Sequence, residues 1–179
     1  PLRNTPTDPK LLFKTGDAVE IQLGTSVANR NVQGQNRQDM HVGDMRLIVT
    51  RNHEDRMVAT LYRPRTASRD KPNRAKFESP TGQETFDEVM AWNDLPMHCR
   101  AEKEGHIVEV AVPWQRIGVE PKAGLALIGD VGVIYGNRGG TKNAIRYMWA
   151  DKSPEVSINN DIPSELRIHP NDWAQLKLE

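Results

Sequence analysis

A lone cysteine, Cys99, in 179 residues excludes an internal disulfide and a four-thiolate zinc site. There is no excess of charge of either sign, since 24 Lys and Arg balance 24 Asp and Glu. Nonspecific binders of nucleic acid or of anionic membranes normally carry a basic excess, so neither class is expected. No apolar run approaches the roughly 18 residues that span a bilayer, and the mean hydropathy is −0.66. Nucleophile and phosphate motifs are missing too: there is no Gly-x-Ser-x-Gly, no phosphate-cradling Gly-x-x-x-x-Gly-Lys and no Gly-x-Gly-x-x-Gly after a strand. The five histidines lie far apart and never at a metal-binding spacing. His98 and Cys99 are neighbours on an expected strand, so they point to opposite faces and cannot act as a local dyad.

Helical periodicity is also scarce; period-2 alternation dominates. Ala18–Leu23 places Val19, Ile21 and Leu23 on one face and Glu20 and Gln22 on the other. Met45–Thr50 and Met57–Tyr62 read as one hairpin, and Met97–Glu102 with His106–Val112 as another. Leu125–Ile128 and Val131–Tyr135 are apolar and β-branched, with Gly129-Asp130 expected to break them. Ala144–Trp149 and Leu176–Leu178 are further strands. Pro113–Ile117 and Pro170–Trp173 are the two places for a helical turn. Thr25–His41 and Thr66–Thr85 are polar and read as long loops. Short strands with frequent turn signals predict an all-β fold, an antiparallel β-sandwich forming one domain over residues 1–179. The start at Pro1, without Met or signal peptide, reads as a piece of a longer chain.

Aromatics are only 6% of the residues, but three of them gather late in the chain: Tyr135, Tyr147 and Trp149, among Asn137, Arg138, Arg146 and Asp151. Aromatic faces pack on sugar C–H faces while planar polar groups fix hydroxyls. Trp149 and Tyr135 are thus candidate sugar-stacking residues and Arg146 a candidate hydroxyl partner. Acidic pairs with catalytic spacing are not found; Asp17 with Glu20 and Asp87 with Glu88 have ordinary turn and loop-end roles. No enzyme activity is expected. Asp130, Asp151, Asn159, Asn160 and Asp161 offer oxygens in or beside loops, as a hard cation requires. Ca²⁺ is the expected ion, with Asp161 the first candidate ligand and Asp130 the second.

The order of several segments resembles the family 9 carbohydrate-binding modules and their DOMON-like relatives. The matching pieces are Thr15–Leu23 (Thr-Gly-Asp-Ala-Val-Glu-Ile-Gln-Leu), Val108–Trp114 (Val-Glu-Val-Ala-Val-Pro-Trp), a late aromatic strand ending in Trp149, and the closing Pro170–Leu176. Lys14 stands where an aromatic often precedes the first motif. The resemblance implies a β-sandwich, export from the cytoplasm, frequent bound Ca²⁺ and glycan ligands. Glu20 is carried over from the first motif as a hydroxyl partner. The expected function is a non-catalytic module that attaches a larger exported protein to a polysaccharide or oligosaccharide, without membrane insertion. Related domains bind haem through Met, His or Lys, and the six methionines, Met90, Met97 and Met148 among them, make haem-based electron transfer one alternative. A ligand-free docking module within a larger enzyme is another.

Overall fold

The computed structural model describes residues 2–6, 8–25, 40–152 and 165–179. Among them are the strands β1 (Ala18–Gly24), β2 (Asp44–Arg51), β3 (Met57–Arg63), β4 (Ala75–Ser79), β5 (Gly82–Phe86) and β6 (Glu88–Ala91). Then come β7 (Met97–Glu102), β8 (Gly105–Val110), β9 (Ala126–Gly136), β10 (Asn143–Met148) and β11 (Ala174–Lys177). Two 3₁₀ turns, η1 (Pro9–Leu11) and η2 (Trp114–Ile117), complete the described elements. The fold is almost entirely β, with antiparallel sheets, as the alternation predicts.

Seven strands form one antiparallel sheet in the spatial order β10-β9-β1-β2-β3-β6, with β11 also on β9. β10 and β11 share one edge of β9 in tandem: Met148 lies opposite Gly132, and Ala174 opposite Gly129. The β4–β5 and β7–β8 hairpins form separate two-stranded sheets. The main sheet has a core on each side. On what we call the inner face, Leu12, Phe13, Ile48, Tyr62 and Leu166 pack with Phe77 and Phe86 of the β4–β5 hairpin. Phe13 meets Tyr62 and Phe77 edge-on at 6.1 and 5.9 Å between ring centroids. Such pairs add roughly 0.5–1.5 kcal/mol each beyond simple burial. On the outer face Leu47, Val49, Leu61 and Trp92 pack beneath Val108, Val110 and Trp114 of the β7–β8 region. Because β2 is covered on both sides, seven of its eight residues are buried.

Three expectations change. Thr66–Thr85 is not all loop, because it contains β4 and most of β5. Ala75 and Phe77 are buried while Lys76 and Glu78 face out, so two apolar side chains suffice to seat a hairpin arm. β9 runs unbroken through Gly129-Asp130. A Cβ at Gly129 would sit 2.6 Å from the Gln22 carbonyl, so glycine here permits close strand approach and does not mark a turn. Pro170–Trp173 is a turn, with the Asp172 N–H donating to the His169 carbonyl, and not a helix. Of the other polar segment, residues 26–39 lie outside the described residues.

The Thr15-Gly16-Asp17 motif acquires a physical reason. Gly16 has φ +70°, and a Cβ there would lie 2.3 Å from the Arg3 carbonyl. Asp17 accepts from Gly136 N–H (2.7 Å) and Arg3 N–H (3.1 Å), which ties β1 to the end of β9 and to the N-terminal segment.

Candidate functional site

Residues of one parity along β9 and β10 face out. Val131, Val133 and Tyr135 of β9 share that face with Ile145 and Tyr147 of β10, and Tyr147 lies opposite Val133. The ladder continues one residue beyond β10, where Trp149 N–H donates to the Val131 carbonyl at 2.8 Å. The β7–β8 hairpin covers the outer face over β2 and β3 but leaves this end bare. Tyr135, Tyr147 and Trp149 are 52%, 60% and 58% exposed, and Val131 and Ile145 are about as open. Tyr135 and Tyr147 meet edge-on at 6.3 Å.

Two hollows lie along this strip. One, of about 360 Å³, is floored by Val19, Val131 and Val133 and walled by Tyr147 and Trp149. The other, of about 320 Å³, lies between Tyr135, Asp17 and the tip of the β7–β8 hairpin with Glu104 and His106. They share Val19 and Val133, so they form one trough. From Val131 to Tyr135 it follows roughly 13 Å of strand, at about 3.3 Å per residue. It is apolar at the Trp149 end and polar at the His106 end. His106 accepts from Leu2 N–H through Nε2 at 3.1 Å.

Glu20 and Arg146 do not belong to this trough. They have the other parity, and both are buried on the inner face. The Glu20 carboxylate accepts from Arg46 Nη2 at 2.8 Å and from Gln22, and lies 3.5 Å from Arg146 Nε. Gln22 in turn accepts from the Trp173 indole N–H at 2.7 Å. Arg46 and Arg146 also donate to the Glu165 backbone carbonyl, at 2.7 and 3.0 Å. The Glu165 side chain accepts from Lys14 (2.7 Å) and Asn143 (2.6 Å). Burial alone would raise the Glu20 pKa, but the charges of Arg46 and Arg146 with these hydrogen bonds outweigh it and hold it below the ordinary carboxylate value. Burial also lowers the Arg146 pKa to about 10, against the opposing pull of Glu20. These two residues are thus corrected from sugar contacts to members of a buried ion cluster. Lys14 serves the same cluster through Glu165.

The chain matches no family model, no curated protein and no solved structure.

Asp130 is buried at the seam where β10 gives way to β11. Its carboxylate accepts three backbone N–H groups, from Val131, Ala150 and Asp151, each at 2.8 Å. It holds the chain just after Trp149 and so positions the aromatic wall. These bonds engage both carboxylate oxygens, and among the described residues no group of three or more His, Cys, Asp or Glu side chains could hold a metal. The other candidate ligand, Asp161, lies outside the described residues, as do Asn159 and Asn160. Among the methionines, Met148 is buried, and Met90 and Met97 pack against the outer core.

The structure thus places Tyr135 and Trp149 on one exposed face and separates them from Glu20 and Arg146, the other two expected sugar contacts. Tyr147 of the same aromatic set joins that face, and sequence reasoning misses Val131 and Ile145 as members of its wall and floor. Their signal was parity: each is an even number of residues from Tyr135 or Trp149 on its own strand.

Proposed function

We propose that this chain is a non-catalytic carbohydrate-binding module, which attaches a larger exported protein to a glycan. One observation carries the reading. Three aromatic rings stand exposed beside a valine floor, while the charged groups of the same strands are buried. Large apolar patches rimmed by polar groups mark binding surfaces on soluble proteins. The C–H faces of pyranose rings suit the Trp149 and Tyr147 rings. Glu104 and His106 supply exposed polar groups for hydroxyls at the other end.

The non-catalytic part of the reading rests on the carboxylates. Asp17, Glu20, Asp87 and Asp130 are each engaged in bonds that hold the fold together. Cys99 is buried and His98 exposed, so they do not act together. Met45, Met57, Met90 and Met97 pack in or against the outer core, so they lend the haem alternative no support.

The test is a glycan array followed by calorimetry on the best soluble ligand. Binding that Trp149→Ala weakens at least tenfold, with the melting midpoint unchanged, is the expected result. Absence of any glycan binding by the wild-type chain, or binding indifferent to Trp149→Ala and Tyr135→Ala together, would overturn it.

A further inference from the structure

A second cleft, of about 900 Å³, shares no lining residue with the trough. It opens between the end of β3, the segment after it, and η2. Among the described residues that line it, the charged side chains are of one sign: Arg63, Arg65 and Arg116. In a chain of zero net charge this segregation calls for a cause.

The guanidinium groups are held in place. Arg63 and Arg116 both lie over the buried Trp92 ring, at 5.5 and 4.8 Å from its centroid. Arg63 donates to Glu88 (2.6 Å) and to the Arg116 carbonyl (2.6 Å), while Arg116 pairs with Asp94 at 2.9 Å. Neither acid lines the cleft. Arg65 is exposed; among the described residues it makes no ion pair, and its hydrogen bond goes to the neighbouring Pro64 carbonyl. Asp87 is near enough to feel its charge, but that carboxylate is engaged by Lys71 and Thr66 N–H. Arg116 also keeps N–H groups beyond the one that meets Asp94, since a guanidinium carries five. Thr66 and Gln115 add neutral polar groups to the walls.

We propose that this cleft binds an oxyanion, the carboxylate or sulfate group of an acidic glycan, through Arg65 and Arg116. A guanidinium fork meets either group with two parallel hydrogen bonds. Arg63 is a positioning residue, which fixes the Arg116 backbone and adds charge. The glycan half of this inference rests on the function proposed above; the anion half does not. The module would thus hold a neutral stretch of chain in the trough and discriminate acidic sugars at a separate point.

Calorimetry on the whole chain tests it, with an oligogalacturonate, a sulfated oligosaccharide, a neutral oligosaccharide of the same length, inorganic sulfate and single-stranded DNA as probes. At low salt at least one acidic glycan should bind roughly tenfold or more tighter than the neutral one, and this advantage should shrink as salt is added. Which of the two it is identifies the anion. Arg65→Ala should remove roughly tenfold of the acidic binding, the usual effect of deleting a charge-assisted hydrogen bond. Because Arg65 is exposed, this variant should melt like the wild type. Trp149→Ala should leave the ratio of acidic to neutral affinity unchanged, which separates this site from the trough. Equal affinity for acidic and neutral glycans would overturn the proposal. So would acidic binding untouched by Arg65→Ala and by the Arg65→Ala/Arg116→Gln double variant. Sulfate binding without acidic-glycan binding, or DNA binding as tight and as dependent on Arg65, would overturn the glycan assignment.

Discussion

Across β1, β9 and β10 the two faces of the sheet differ in kind. The inner face buries Glu20 and Arg146 against Arg46 of the adjacent β2, while the outer face leaves Val131, Tyr135, Tyr147 and Trp149 in solvent. Folding alone favours the reverse, since a charge taken out of water costs several kcal/mol and an exposed ring forgoes about 1.5–3. The inner face offsets part of its cost mutually: Glu20 meets two guanidiniums, and these meet backbone carbonyls, although Arg46 Nε and Arg146 Nε are buried without a hydrogen-bond partner among the described residues. Nothing comparable covers the outer rings among the described residues. Burial of charge here is therefore structural, and exposure of aromatics is where function is to be sought.

The largest effect should come from the inner face. Glu20→Gln keeps the shape but leaves Arg46 and Arg146 facing each other without their shared anion. Breaking a buried pair in this way costs about 3–5 kcal/mol. At roughly 2–4 °C per kcal/mol for a chain of this size, the melting midpoint should fall by about 6–20 °C. A fall of less than 3 °C would mean that the cluster is wet and weak.

The same carboxylate predicts a pH signature. Its folded pKa lies below the ordinary glutamate value of 4.5. As pH falls through that value, the unfolded chain takes up the proton first. The stability supplied by Glu20 is thus complete above pH 4.5 and declines toward the lower folded pKa. The gap in stability between wild type and Glu20→Gln should be constant from pH 6 to 8 and narrow in more acid solution. Urea titrations at stepped pH values read that gap directly, and a gap that widens in acid would contradict the assignment.

Asp130 lies between the two regions, on the inner parity but holding the outer wall. Asp130→Asn replaces one acceptor oxygen by a donor and confronts a backbone N–H with it. A cost of about 1–3 kcal/mol is expected, together with faster amide exchange at Ala150 and Asp151. The cost should be the same in EDTA and in millimolar Ca²⁺, because the oxygens serve N–H groups. A larger cost in Ca²⁺ would restore Asp130 as a cation ligand.

How much of this was legible in the sequence follows from the same contrast. Alternation marks faces, so β1, the β2–β3 and β7–β8 hairpins and β10 can be read directly, and it already sets Arg146 apart from Tyr147 and Trp149. It does not say which face is covered. Glu20 looks like a surface acid because its partners come from Arg46 and Arg146, 26 and 126 positions away, pairings that strand order decides. Gly129-Asp130 looks like a turn, and only the neighbouring strand shows why a glycine and a buried acceptor belong there. The β4–β5 hairpin is hidden because it has so few apolar residues and gains its core contacts from Phe13 and Tyr62. The arginine cleft draws on β3 and η2, which the chain separates by 50 residues.

The smallest effect on stability, and the one that most sharpens the contrast, should come from Tyr147→Ala. Its ring is 60% exposed and its aromatic partner, Tyr135, is itself half in solvent. Truncation should change stability by no more than about 0.5 kcal/mol, the usual range for surface positions. Yet the ring is one wall of the hollow beside Trp149. Loss of a stacking face worth about 0.5–1.5 kcal/mol should weaken glycan binding by roughly two- to twelvefold. The two readouts must therefore separate, with melting unchanged and binding reduced. Were Tyr147→Ala instead to lower the melting midpoint by as much as Asp130→Asn, the ring would be supporting the fold. The outer face would then differ from the inner one only in degree, and its exposure would no longer point to a ligand.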